Sequence, residues 1–222
     1  MSALRVPGLM RLLWLLCALA LWCPGVSRAE EVPPAGAMQV VRETVEGLRE
    51  ALQQRGATAQ DTALIAELVE QEVVPRVDVP LSGQLILGRH WREASDAERA
   101  GFIAAYRQML LRTYAIHAMD YLEASVDYLS VAPLGSEPGR YTVRTRVLRP
   151  GRKPARVDYR IGLRDEQFKV FDALINGVSL VSTLRTAVDA EVGRIGLPAL
   201  IAQLESGRVA AAPAVAPETN AR

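Results

Sequence analysis

The stretch VFDALINGVSLVSTLR, residues 170–185, is an apolar run that passes through Gly177 and then continues with helical spacing. Its first half is rich in the apolar residues typical of a buried strand, and Val181 and Leu184 begin a helical pattern. No candidate catalytic residue stands at the turn between them. The stretch predicts a strand that leads directly into an equally apolar helix, and it raises the question of what these two dry surfaces enclose.

The segments before this stretch have an apolar period of 2. Tyr141 and Val143 alternate with Arg144 and Arg146, and the turn-like segments RPGRKP and RDEQ separate the later repeats of this pattern. The alternation predicts an antiparallel sheet with one dry face and one face rich in arginine. The four predicted strands are SVDYLSVA (125–132), YTVRTRVL (141–148), ARVDYRIGL (155–163) and FKVFDALI (168–175).

Helical spacing of apolar residues dominates the rest of the chain. Ser95, with Glu98 three residues later, forms a capping box that opens the longest predicted helix, whose wide apolar stripe indicates burial on more than one side. The sequence therefore predicts an α+β fold, a four-stranded antiparallel sheet packed with several helices. The predicted helices cover about residues 37–55, 61–74, 96–122 and 181–195, with a short last helix starting at Pro198 and a short helix or irregular segment within 77–91.

Residues 1–29 have the organisation of a secretory signal peptide. Two arginines precede a leucine-rich run from Leu12 to Trp22, and the small-residue segment SRA precedes Glu30. The apolar run is shorter than the roughly 20 residues that a membrane span needs. We expect cleavage near Ala29 and export of the mature chain.

Residues 30–206 are expected to form one domain, followed by a disordered Ala/Pro-rich tail over 207–222. Cys17 and Cys23 both lie in the predicted signal segment, so the mature chain would have no disulfide. A lipid anchor on Cys23 is disfavoured because the bulky Trp22 precedes it. Cleavage removes three of the 26 basic residues and none of the 25 acidic ones, leaving a formal charge of −2, so charge indicates no nucleic-acid partner.

Residue types that could serve in catalysis or metal binding are few in this sequence and lie far apart in it. The two histidines lie in separate segments, and we expect His117 in the apolar core and His90 at the surface. Alternation places Asp158 on the solvated face of its strand, and the apolar neighbours of Asp172 predict a structural hydrogen-bonding role. The sequence has no GxSxG nucleophile elbow and no glycine-rich phosphate loop. We predict no catalytic residues, no metal site and no cofactor.

Broad aliphatic faces in an exported protein with so little chemistry favour the binding of an apolar ligand. The simpler alternative is that these side chains form an ordinary hydrophobic core, since most apolar residues of any globular protein are interior. The residue patterns alone leave both interpretations open.

Three segments resemble the MlaC family of periplasmic phospholipid-binding proteins, also called the toluene-tolerance family. They are LGRHWREASDAERAGFIAAYRQMLLRTYA (87–115), the opening stretch, and GLPALIAQL (196–204). The resemblance extends from about residue 37 to 206, with the segments in the family's order and spacing. Its two specific motifs are LGRHWREAS with the helix that continues to TYA, and FDALINGVSLV.

The resemblance implies that the sheet and helices enclose a deep hydrophobic cavity for the acyl chains of a diacyl phospholipid, with the headgroup near solvent. It implies a periplasmic carrier, not an enzyme, that moves lipid between an outer-membrane complex of an MlaA-type lipoprotein with a porin and the MlaD-type ring of an inner-membrane ABC transporter. Such transport maintains the lipid asymmetry of the outer membrane. The residues expected to form the cavity wall are Trp91, Phe102, Tyr106, Leu110, Tyr114, Val143, Val157, Tyr159, Val170, Val178, Val181 and Leu184.

Three alternatives stay open at this point. A close relative in the same family is associated with hopanoid metabolism, so the carried lipid could be a hopanoid. A small exported enzyme acting on a hydrophobic substrate would use Asp172 or His117 as its base. A structural periplasmic adaptor would need no cavity.

Overall fold

The computed structural model describes residues 34–58, 60–119 and 122–208, and the predicted signal segment and residues 209–222 of the predicted tail lie outside these ranges. The strands are β1 Ser125–Pro133, β2 Arg140–Leu148, β3 Ala155–Arg164, β4 Gln167–Ile175 and β5 Val178–Ser179. The helices are α1 Pro34–Gln54, α2 Thr62–Glu72, a 3-10 turn Val74–Arg76, α3 Val79–Leu87, α4 His90–Glu93, α5 Asp96–Ala118, α6 Leu180–Ile195 and α7 Leu197–Glu205.

The sheet is an antiparallel meander with the strand order β1-β2-β3-β4-β5. The predicted α+β fold is confirmed, but the sheet has five strands where the sequence predicted four. The additional strand exists because Asn176 and Gly177 both have positive φ angles, 50° and 89°, and form a two-residue hairpin turn. Val178 pairs back onto Ile175 before the chain enters α6.

The predicted alternation along the central strands is confirmed. Val143 lies opposite Tyr159 and Thr145 opposite Val157, and this side of the sheet is turned toward the helices. Helix α1 covers part of it, where the buried cluster consists of Ala37, Val41, Tyr141, Val143 and Ile161.

Asp158 corrects one detail of the alternation. It belongs to the arginine-rich side of the sheet as predicted, but it is 4% exposed rather than solvated. The side chain of Arg156 lies over it and donates from Nε and Nη2 to its two carboxylate oxygens, at 3.0 and 2.5 Å. A bidentate arginine thus removes this carboxylate from water and also satisfies its hydrogen bonds.

The helices form two further buried clusters, and α5 takes part in both. Phe102 packs with residues of α3, α6 and α7, whereas Leu111 packs with residues of α1 and α2. The predicted wide stripe of α5 is explained by this double contact. The helix ends at Ala118, earlier than the predicted end at Leu122. None of the described helices is both long enough and apolar enough to span a membrane.

The predicted capping box opens α5. Ser95 N donates to Glu98 Oε2 at 2.8 Å, and Glu98 N donates to Ser95 Oγ at 3.3 Å. The backbone hydrogen bond from Ser95, together with that from its hydroxyl, holds the pKa of Glu98 below its ordinary value. The paired hydrogen bonds fix the start of α5, and residues further along this helix form one wall of the candidate site.

Candidate functional site

An apolar cavity lies between the dry face of the sheet and helices α1, α2, α3, α5 and α6. Its volume is about 300 Å³, at the lower end of the range of roughly 300–1,000 Å³ usual for ligand pockets. Aliphatic side chains form most of the wall, and the charged or hydroxyl-bearing exceptions are Thr44, Arg76, Ser82, Tyr106, Arg107, Tyr159 and Asp172.

Strands β3 and β4 supply the sheet side of the wall. Val157 lies opposite Ile175 in the register, and Tyr159 lies opposite Ala173, so all four side chains share the dry face and line the cavity. Val170 continues this wall beyond an irregularity in the pairing of β3 with β4. Alternation therefore accounts for the wall from Val157 to Tyr159 and from Ala173 to Ile175, and the irregularity in β4 brings Val170 and Phe171 into the same wall.

Three helices supply most of the opposite side. Their cavity residues recur three or four positions apart, which places them on one face of each helix. Of these residues, Val181 and Leu184 are each only 7% exposed. The residues concerned are Val41, Thr44, Val45 and Leu48 of α1, Tyr106, Leu110 and Leu111 of α5, and Leu180, Val181 and Leu184 of α6.

The buried carboxylate of Asp172 connects β4 to α6. It accepts hydrogen bonds from Ser179 Oγ at 2.7 Å, Val181 N at 3.1 Å and Arg160 Nη1 at 3.0 Å. Ser179 also accepts from Ser182 N at 3.0 Å and so caps the helix. The predicted structural role of Asp172 is confirmed by these contacts. A negative charge at a helix N-terminus is stabilised by the helix dipole, which explains how the strand and helix meet without a long loop.

A second set of contacts fixes α3 against β4. Asp78 N donates to Val170 O at 2.8 Å, and Ser82 Oγ lies 2.8 Å from Phe171 O. Gly83 allows α5 to approach α3 closely, because a Cβ at this position would collide with Ile103. Together these contacts hold the helical wall at a fixed distance from the sheet wall without filling the space between them.

Two arginines of the wall are held by glutamates of α2. Arg76 contacts the backbone carbonyl of Glu72 and lies 3.5 Å from its carboxylate, and Arg107 contacts Glu70. Their side chains are 29% and 39% exposed, so both belong to the cavity and to the surface. The other carboxylate oxygen of Glu70 is buried without a hydrogen-bond partner among the described residues. The cavity thus has charged groups where it approaches solvent.

Seven of the twelve residues predicted for the cavity wall line the observed cavity. They come from two helices and two strands that are distant in the sequence, and the fold brings them to one space. These residues are Tyr106, Leu110, Val157, Tyr159, Val170, Val181 and Leu184.

Four predicted wall residues lie elsewhere. Val143 is fully buried under α1, and Phe102, 1% exposed, packs among α3, α6 and α7. Trp91 is partly buried beside the same helices, with Arg99 5.4 Å from the centre of its ring. Val178 is 47% exposed in the hairpin after Asn176 and Gly177. The side chain of the twelfth residue, Tyr114, lies outside the described parts of the chain, as does that of His117.

Helices α1 and α2 contribute wall residues that the sequence analysis did not select. Val41, Val45 and Leu48 of α1 and Val69 of α2 line the cavity. Their helical spacing was visible in the sequence, but it indicated only an amphipathic helix. Which helices face a cavity rather than a packed core depends on tertiary positions that spacing does not encode.

The expectation that His90 lies at the surface is wrong. Its side chain is 12% exposed, and Nε2 lies 2.8 Å from Asp189 Oδ1. Arg89 also contacts Asp189, at 2.9 Å. The histidine joins the α3–α5 connection to α6 and does not line the cavity. Among the described residues, no group of three or more His, Cys, Asp or Glu side chains is arranged to hold a metal ion.

Comparison with known proteins identifies related sequences and folds. The family model for the MlaC protein matches residues 42–206. A solved structure from Ralstonia solanacearum, described as a phospholipid-binding protein in complex with a phospholipid, is similar with a TM-score of 0.64 and 25% sequence identity. The similarity covers 78% of this chain and 94% of the Ralstonia chain.

A concave, mainly apolar cavity is the usual form of a ligand pocket in proteins. The family match spans most of the chain and includes every cavity-lining residue except Val41. The chain therefore belongs to the MlaC family, and the resemblance noted in the sequence is confirmed.

Proposed function

We propose that this protein is a phospholipid carrier whose cavity holds the acyl chains of one diacyl lipid. The observation that carries the proposal is the continuous aliphatic wall shared by β3, β4, α5 and α6. The Ralstonia solanacearum protein with the similar fold binds a phospholipid, which supports the same class of ligand here. The physical reason is that an aliphatic wall offers an acyl chain an environment comparable to the bilayer interior.

The energetics suit a carrier better than a permanent binding site. Burial of about 25 methylene groups at roughly 0.8 kcal/mol each would supply up to about 20 kcal/mol, which is comparable to what the same chains gain in a bilayer. A carrier must nearly match the membrane if it is to load and unload. An aliphatic wall distinguishes one methylene by only about 1–3 kcal/mol, so we expect little selectivity for chain length.

The headgroup is proposed to lie beside Arg76 and Arg107. Both side chains line the cavity and are partly exposed, and guanidinium groups bind phosphate through charge-assisted hydrogen bonds. The unpartnered oxygen of Glu70 next to Arg107 could accept a hydrogen bond from an ammonium or hydroxyl of the headgroup. The acyl chains would then extend from these groups toward the apolar walls of β3 and α6.

The carrier is proposed to work in the periplasm, after removal of residues 1–29. Family membership and the predicted signal segment support this location. It would exchange lipid with an MlaA-type lipoprotein and porin at the outer membrane and with the MlaD-type ring of an inner-membrane ABC transporter. This exchange would help to maintain the lipid asymmetry of the outer membrane.

The contacts of Asp172 favour a carrier over an exported enzyme. Each carboxylate oxygen already accepts at least one hydrogen bond, and one of the donors is a guanidinium. These donors belong to β3 and to the start of α6, so both oxygens are engaged in contacts that hold the fold together. Asp172 is therefore poorly suited to act as a general base, although it lines the cavity.

Lipid extraction from the purified mature protein, followed by mass spectrometry, tests the proposal. We expect about one diacyl phospholipid per chain after purification without detergent. A protein that carries no lipid and takes up none from vesicles would contradict the carrier function. A bound hopanoid in place of a phospholipid would support the carrier function with a different lipid. Hydrolysis products that depend on Asp172 would instead favour the enzyme.

A further inference from the structure

The hairpin formed by the end of β2, the following turn and the start of β3 has an unusual charge. Residues 144–156, here called the basic hairpin, contain six basic residues and no acidic one, in a chain whose formal net charge is only +1. Lysine and arginine so concentrated produce a local positive potential that the net charge conceals.

Four of these cations are exposed and available. Arg144 and Arg146 lie on the side of the sheet opposite the dry face, and Arg152 and Lys153 lie in the turn. Within the described parts of the chain, none of the four forms an ion pair with an acidic side chain. Arg156 differs from them, because Asp158 neutralises it.

The register of the sheet brings two of the arginines together. Arg146 lies directly opposite Arg156 on the neighbouring strand. Like charges in direct register repel each other and weaken the pairing of strands. Of these two arginines, Arg156 is paired with Asp158, whereas Arg146 has Asp127 opposite it on β1 but forms no ion pair within 4.0 Å with an acidic side chain of the described residues.

The basic hairpin adjoins one end of the cavity. Val157, the residue after Arg156, lines the cavity, and so does Ile175, its partner on β4. A surface that contacts the basic hairpin would therefore lie close to the end of the cavity formed by β3 and β4.

The composition of the basic hairpin fits a lipid surface better than a protein partner. The large hydrophobic side chains that are exposed in the described residues are Leu129, Leu163 and Val178, and all three lie outside it. Protein interfaces usually have an apolar or aromatic centre surrounded by polar groups, and the basic hairpin offers none. Clusters of four to eight lysine and arginine residues are instead typical of segments that bind anionic lipid headgroups.

We propose that the basic hairpin docks the protein reversibly on the anionic headgroups of a phospholipid bilayer, beside the end of the cavity lined by Val157 and Ile175. The biological purpose of this docking rests on the proposed carrier function, since a carrier benefits from contact with the bilayer that holds its cargo. The attraction is electrostatic and involves no inserted side chain. High salt therefore releases the protein.

Co-sedimentation of the mature protein with vesicles tests the proposal. One set of vesicles contains phosphatidylcholine alone, and the other contains phosphatidylcholine mixed with phosphatidylglycerol. We expect binding only to the second set at about 0.1 M salt, and release at about 1 M salt, where the screening length falls from about 10 to 3 Å. The variant with Arg144→Gln, Arg146→Gln, Arg152→Gln and Lys153→Gln should partition at least about 100-fold less strongly.

A control variant changes the net charge by the same amount at exposed arginines in the turn after α1, on α4 and α6, and at the end of the described chain. It carries Arg55→Gln, Arg92→Gln, Arg194→Gln and Arg208→Gln. We expect it to bind anionic vesicles nearly as well as the unmodified protein. Equal losses in the two variants would show that net charge alone matters and would overturn the proposal.

Two further outcomes would also overturn it. The first is no binding of the unmodified protein to anionic vesicles. The second is unchanged binding of the hairpin variant to anionic vesicles. Bound lipid, measured by mass spectrometry in every variant, is the separate test of the cavity. A hairpin variant that retains its bound lipid but no longer binds the vesicles would show that the docking surface and the lipid cavity are separate sites.

Discussion

The two halves of the dry face of the sheet have the same sequence pattern and different surroundings. On β2, Val143 is fully buried beneath α1, whereas on β3 its cross-strand neighbour Tyr159 lines the cavity. The boundary between packed core and cavity therefore crosses the dry face, with Val143 of β2 and Ile161 of β3 on the packed side and Tyr159 of β3 on the cavity side. Alternation decides which side of a strand is dry, and the position of the covering helix decides whether that side is packed or left open.

This comparison can be tested with substitutions, and Val143→Trp should have the largest effect on stability. The indole would have to enter space that α1 already fills, so we expect the free energy of unfolding to fall by about 3 kcal/mol or more. Chemical denaturation measures the loss. The folded fraction should still bind lipid, because Val143 does not line the cavity. Normal stability would show that β2 borders open space after all.

Asp172→Asn should have the next largest effect. The amide would keep the shape but lose the charge that Arg160 and Ser179 contact, so we expect a loss of about 2–3 kcal/mol in the free energy of unfolding. Asp158→Asn is the matched control, because its partner Arg156 is 58% exposed. We expect the control to lose about 1 kcal/mol or less. Equal losses in the two variants would contradict the special role of the β4–α6 connection.

Leu110→Trp should have the opposite effects to Val143→Trp, with little change in stability and a large loss of bound lipid. The added ring can occupy the cavity, so we expect the free energy of unfolding to change by less than about 1 kcal/mol. The bound lipid should be largely lost, and mass spectrometry measures it. Leu110→Ala is the control, because it enlarges the cavity and should retain lipid. A Leu110→Trp variant that melts early and still holds lipid would contradict the assignment of α5 to the cavity wall.

Val178→Ala should have the smallest effect. Val178 is 47% exposed and lies outside the cavity, although the sequence predicted it in the wall. We expect less than about 0.5 kcal/mol of destabilisation and unchanged bound lipid. Thermal melting and lipid analysis check both. Loss of lipid in this variant would indicate that the β4–β5 hairpin closes over the ligand.

The sequence predicted the elements well because their signals are local. The apolar periods located the strands and helices, Ser95 with Glu98 marked the start of α5, and Gly196 ended α6. The fifth strand also had a local signal, the Asn-Gly pair at residues 176–177, which favours a two-residue hairpin turn. The sequence therefore contains a local signal for the fifth strand, and the apolar period alone does not reveal it.

The cavity wall was only partly predictable because it depends on contacts distant in the sequence. Val143 and Val157 have the same side chain and the same inward orientation, yet only Val157 lines the cavity. Asp158 shows the same limit, since alternation placed it on the correct side but did not reveal that Arg156 covers it. The alternation of residues along one strand does not show which helix or side chain covers that strand.

A crystal structure of the protein purified with its bound lipid tests the central claim most directly. The account predicts acyl-chain density between Leu110 of α5 and Val157 of β3, in contact with Leu184 of α6, and no lipid beside Val143. Lipid bound at any other surface, with the space between α5 and β3 closed by side chains, would contradict it.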